Sequence, residues 1–130
     1  MKYKLTDKTI TYCGRTLHRI QALKDFSDIK AGDLGGWIES EGNLNQEGNC
    51  WVADEAKVFH EARISDNARV FEDAQVFGMA VVCENARISG NAQVSGDAWI
   101  FDNAQIAGDA DIYGSVEIYG NAQIKDGCIR

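Results

Sequence analysis

At 130 residues the chain has room for one compact domain, and its 20 acidic against 13 basic side chains leave a formal net charge of −7. That balance excludes a protein that grips nucleic acid through its phosphates, which requires clustered Lys and Arg. The four cysteines, Cys13, Cys50, Cys83 and Cys128, lie too far apart for zinc knuckles. With no signal peptide and no long apolar run, the sequence is expected to carry free thiols in a reducing cytoplasm, with no membrane contact, metal or cofactor.

The first 47 residues have their own pattern. "YKLTDKTITYCGRTLHRIQAL" alternates in strand fashion around Thr6-Asp7-Lys8 and Cys13-Gly14-Arg15, which predicts two or three short antiparallel strands. "KAGDLGGWIESEGNL" reads as a lead-in coil, with Ile38 and Leu44 six residues apart before Cys50. Residues 1–47 are therefore expected to cap whatever follows. Residues 48–130 form the body, and an uncovered end there would expose both core and an unpaired strand edge.

From residue 48 onward the sequence repeats every six residues. Aliphatic side chains fall at Val52, Val58, Ile64, Val70 and Val76, and the count continues unbroken to Ile124. Two residues before each stands a small one, usually Ala, with Cys50 and Val116 as the exceptions. A period of six fits neither an α-helix nor a hairpin meander and points to a solenoid of very short strands. Pairs such as Gly90-Asn91, Gly96-Asp97 and Asp102-Asn103 supply a corner each time, because Gly, Asn and Asp enter left-handed backbone conformations at least cost. The alternation turns Ala and Val/Ile inward, and the residues between and after them outward.

This pattern resembles the hexapeptide-repeat left-handed parallel β-helix, in which three hexads close a triangular coil of eighteen residues. The resemblance covers about Asn49 to Lys125 and implies an all-β, single-stranded left-handed parallel β-helix with a short N-terminal strand cap. Handedness comes from the resemblance alone. The stretches "LHRIQALKDF", "GDLGGWIESEGNL" and "EGNCWV" also resemble the N-terminal region of small hexapeptide-repeat proteins of bacterial and phage genomes, a group from which no activity carries over. One departure is that the residue after the aliphatic is often aromatic, as at Phe59, Phe71, Phe77, Phe101, Tyr113 and Tyr119.

Charge within residues 1–47 cancels, so the net −7 belongs to the repeat. Stacked at eighteen residues, the acids collect at two corners: Asp54, Glu55, Glu72 and Asp73 at one, and Asp66, Glu84 and Asp102 beside an Asn column at the other. These read either as solvated turns or as an acidic ridge facing a partner. Of the three outward faces, the one carrying Val81, Cys83, Trp99, Phe101 and Tyr119 is apolar, which marks an interface with a second copy or a foreign partner. Arg69, Arg87 and Trp51 on another face are candidate contacts for an anion or small ligand in a cleft between subunits.

The resemblance also raises catalysis, because acyltransferases of this fold use a His as general base. The candidates are His60, at a turn, and His18, in the cap, and either also reads as a plain surface residue. Three readings follow. The first is a non-catalytic acidic interaction protein that pairs with itself. Its concrete form, if the gene is phage-borne, is an inhibitor that meets a basic nucleic-acid-binding host defence complex by charge mimicry. The second is a small acyltransferase, and the third is ligand capture at a subunit interface.

Overall fold

The computed structural model covers residues 1–130 and is an all-β parallel solenoid whose only helical element is one 3-10 turn at Glu41–Asn43. The hexad explains the winding. From Trp51–Val52 to Glu117–Ile118 each two-residue strand ends on a buried aliphatic, the chain turns, and a small residue, a buried Ala at most positions, begins the next side, so three hexads return the chain above its starting point. Accordingly Val52 lies beside Val70, Val58 beside Val76 and Ile64 beside Val82, each eighteen residues on. The three inward columns run unmixed through Val70, Ile88, Ile106 and Ile124; Val76, Val94 and Ile112; and Val82, Ile100 and Ile118. Their side chains and the Ala columns form one continuous core. At about 1.5 to 3 kcal/mol per buried aliphatic, that core needs no disulfide to hold it, and all four cysteines are free.

Three strands precede the solenoid: β1 (Tyr3–Tyr12), β2 (Arg15–Ala22) and β3 (Leu34–Ile38), paired antiparallel in that order. Strand β3 then runs parallel to Lys57–Val58, so the hairpin prolongs one wall of the prism into an eight-stranded sheet, while the other two walls have five and four strands. The expected turn at Thr6-Asp7-Lys8 is absent. Those residues form a bulge inside the single long strand β1, because Thr6 Oγ1 donates to the carbonyl of Arg19 at 2.8 Å and holds the bulged segment against β2. Cys13-Gly14 does turn, with Cys13 at φ 51° and Gly14 at φ 74°.

The period is broken at both ends. Ile38 pairs with Val58 and Leu44 with Ile64, twenty residues on, so the lead-in coil holds two extra residues between Asn45 and Asn49. The insertion is used: Gln46 Oε1 accepts the N–H groups of Lys2 (2.8 Å) and Tyr3 (3.2 Å), and its Nε2 donates to the Tyr3 carbonyl. One side chain thereby ties down the start of the chain. At the other end Ile129 pairs with Ile112 after only seventeen residues.

The hairpin buries two residues read as outward, Trp51 and Phe59. Trp51 is 1 % exposed, because Tyr3 and Phe26 pack edge-on against its ring and the hairpin covers it. Close approach is enforced by Gly35, where a Cβ would come within 2.6 Å of the Trp51 ring and of Ile20. Phe59 is buried by Leu17 and Trp37, with Tyr12 against one side and Phe77 stacked at 5.0 Å on the other. The hairpin thus curls over two faces of the first coil.

Candidate functional site

From Gly48 to Gly120 every sixth residue has a left-handed backbone, at φ between 56° and 80°. Asp54, His60, Asp66, Glu72, Glu84 and Asp102 hold that conformation without being glycine, at a cost of about 1 kcal/mol each. Most of them recover it through their side chains. Asp54 Oδ2 accepts the N–H of Glu72, Asp66 Oδ2 that of Glu84, Glu72 Oε1 that of Gly90, and Asp102 Oδ2 that of Gly120, at 2.8 to 3.0 Å. A carboxylate that accepts an N–H in this way contributes about 1.5 to 3 kcal/mol. These four acids therefore serve the fold itself, since each clamps its corner to the coil eighteen residues on. Glu84 makes no such bond, while Glu55 instead pairs with Arg19 at 2.9 Å and Asp73 lines a shallow acidic groove with Asp54, Glu55 and Glu72. No three His, Cys, Asp or Glu side chains converge where a metal ion could sit.

His60 belongs to the same corner series. Its Nδ1 faces the N–H of Gly78 at 3.3 Å, so the neutral ring accepts there and carries its proton on Nε2. The lone pair that a general base would need is already engaged. His18 is the reverse case, with Nδ1 directed at the Thr6 carbonyl at 3.3 Å and Nε2 left free. It sits half-buried on the β1–β2 hairpin and lines none of the grooves. Neither histidine ring hydrogen-bonds the other or a cysteine.

The apolar face is built on the four-stranded wall. Trp99 (47 % exposed) and Tyr119 (59 %) flank Phe101, with ring centroids 5.2 Å and 5.4 Å apart, and the Phe101–Tyr119 pair is stacked. Coil spacing causes the stacking, since Phe101 and Tyr119 occupy equivalent positions on neighbouring coils. Val81 is half-buried beside Trp99. Cys83 departs from the expected surface. It is only 9 % exposed, and the Trp99 indole Nε1–H reaches over it to Sγ at 3.4 Å. Burial pushes its thiol above the ordinary value, against nucleophilic use. The exposed Met79, which sequence periodicity did not single out, lies two residues before Val81.

Around the next corner lies a polar groove of about 400 Å³ with Asn49, Asn67, Asn85, Arg69 and Arg87 on its walls and Ser27 and Asp28 at its edge. The loop between β2 and β3 supplies that edge, and Asp28 bonds Arg69 at 2.8 Å. That guanidinium, by hydrogen bond and charge, holds the Asp28 carboxyl below its ordinary range. Arg69 and Arg87 do share a site, but Trp51 is not part of it, since its ring is enclosed by the hairpin. Sequence periodicity located the arginines; the loop that walls them has no repeat to betray it.

A sequence model described as the YdcK β-solenoid repeat matches residues 62–84 and 86–102. The Escherichia coli (strain K12) protein named "uncharacterized acetyltransferase YdcK" is 50% identical over 42 residues, which make up 32% of this chain and 13% of that protein. The matched stretch thus spans a small part of that relative's length. Fold and repeat together make this chain a hexapeptide-repeat β-solenoid, with repeats of the YdcK type over the matched residues.

Proposed function

We propose that the chain is a non-catalytic binding module that docks through its four-stranded wall, first of all onto a second copy of itself. The observation that supports this reading is the ladder of Trp99, Phe101 and Tyr119, in which Trp99 and Tyr119 face solvent and Phe101 stacks on Tyr119, with Val81 beside Trp99. A contiguous apolar patch on an acidic protein gains by being covered, and a rigid coil that holds its aromatic anchors in place lowers the ordering cost of docking. The acidic corners set the charge of the surface around it. A basic host complex met by charge mimicry is the foreign partner those corners would suit, although their carboxylates already have a sufficient role in clamping the coils. Sedimentation of the protein and of the Trp99→Glu, Phe101→Glu variant tests the reading: a dimer that the variant converts to a folded monomer is expected.

An acetyltransferase is the second reading, favoured by the name of the E. coli relative. The engaged Nδ1 of His60 weighs against it. Turnover of an acetyl thioester that is lost in His18→Ala or His60→Ala would establish this reading in place of the first.

A further inference from the structure

Two clefts meet at one pair of arginines. Arg69 and Arg87 are register partners on neighbouring strands of the five-stranded wall, which sets their backbones about 4.8 Å apart. On one side is the polar groove, where Asn49, Asn67 and Asn85 stand in a column of amides. On the other is a second cleft of about 240 Å³ that shares Asp28, Arg69 and Arg87 and adds Ile29, Ala53, Val70 and Phe71. Arg69 is met by Asp28, whereas Arg87 has no ion pair or side-chain hydrogen bond with the protein. Two like charges on adjacent strands repel, and the fold supplies one carboxylate, that of Asp28, to Arg69 alone. The Arg87 guanidinium is thus open to an anion from solution.

We propose that this junction binds an acylated α-amino acid with an apolar side chain, either free or as the C-terminal residue of a peptide. Each part of that ligand has a counterpart. A carboxylate accepts paired N–H donors from a guanidinium fork, which Arg87 offers unoccupied. The adjoining amide bond has one donor and one acceptor, and the Asn67–Asn85 column presents both kinds of group in sequence, its own amides linked at 3.3 Å. The apolar side chain enters the cleft against Phe71, Ala53 and Ile29. A sugar phosphate would leave that cleft empty, and a bare inorganic anion would leave both arms of the site unused. Asp28 competes with the ligand carboxylate for Arg69, so its loop acts as an internal rival. The site lies around the corner from the aromatic ladder and does not depend on docking there.

Calorimetric titration of the full chain with N-acetyl-leucine, N-acetyl-leucinamide, N-acetyl-serine and an acetylated tetrapeptide ending in leucine tests the proposal. N-acetyl-leucine should bind, and the uncharged amide and the serine compound should each bind at least tenfold more weakly. Arg87→Gln, at an exposed position, should weaken binding at least tenfold, and Asp28→Asn should strengthen it severalfold by freeing Arg69. A tetrapeptide tighter than N-acetyl-leucine identifies a peptide terminus as the source, and equal affinity identifies the free acylated amino acid. The proposal is overturned if neither leucine acid binds at millimolar concentration, if the neutral amide binds as well as the acid, or if Arg87→Gln binds like the original protein.

Discussion

Asp66 Oδ2 accepts the backbone N–H of Glu84, eighteen residues along the chain, at 2.9 Å. One side chain does two things there: it occupies a left-handed corner and fastens that corner to the next coil. The same residue type that reads as surface charge in the sequence is a staple in the fold.

Removing the staple should therefore cost more than removing the charge. Asp66→Ala loses the acceptor and places an ordinary side chain at φ 58°, and is expected to destabilise the protein by about 1.5 to 3 kcal/mol. Asp66→Asn keeps an oxygen for the Glu84 N–H and tolerates the backbone, so it should cost less than about 1 kcal/mol. Urea unfolding of both variants measures the difference, and equal losses would contradict the clamp.

Glu84 should behave oppositely. Desolvation, and then the negative charges of Asp102 and Asp66 in its column, hold its carboxyl above the ordinary value of 4.5. The folded protein thus keeps this proton to higher pH than the unfolded chain. The stability associated with it is complete below pH 4.5 and is lost as pH rises through the folded value. Asp28 and Glu55 have the reverse sign: hydrogen bonds from Arg69 and Arg19 lower them, and their stabilisation is lost as pH falls. Glu84→Gln is expected to be more stable than the parent at neutral pH and equal to it in acid below its titration. An advantage of the same size at every pH would show that charge is not the cause.

Lys2 is a buried latch. Its ammonium donates to the carbonyls of Cys50 at 2.8 Å and Gly48 at 3.2 Å, and lies 4.9 Å above the Phe26 ring. Desolvation lowers its pKa, yet those carbonyls have no other side-chain donor in reach. Lys2→Met preserves the stem and orphans the carbonyls, and should cost about 2 to 3 kcal/mol. Hydrogen exchange should find β1 opening first in the variant. Unchanged exchange in β1 would remove Lys2 from the latch.

The inward columns are legible because a strict period of six leaves one solution for what faces in, and the aliphatic at every sixth position from Val52 to Ile118 is buried. Trp51 and Phe59 escape that logic for a definite reason. They hold outward positions in the repeat, but a non-repeating hairpin covers them, and no periodicity reports where such a segment lies. Arg69 and Arg87 can be found by stacking the sequence at eighteen, whereas Asp28 and Ile29, which complete their groove, cannot. The two extra residues near Gln46 are hidden because Ile38, Leu44 and Cys50 happen to keep the spacing of six while the backbone does not.

Of the three tryptophans, Trp37 and Trp51 are buried and Trp99 alone is solvent-facing, so its emission reports on the docking wall. Acrylamide quenching of the protein from low to high micromolar concentration tests self-association through that wall most directly. The quenchable fraction should fall as concentration rises, and Phe101→Glu should abolish the fall while leaving the fold intact. Quenching of Trp99 that is the same across the whole range would contradict docking of the chain on itself through this face.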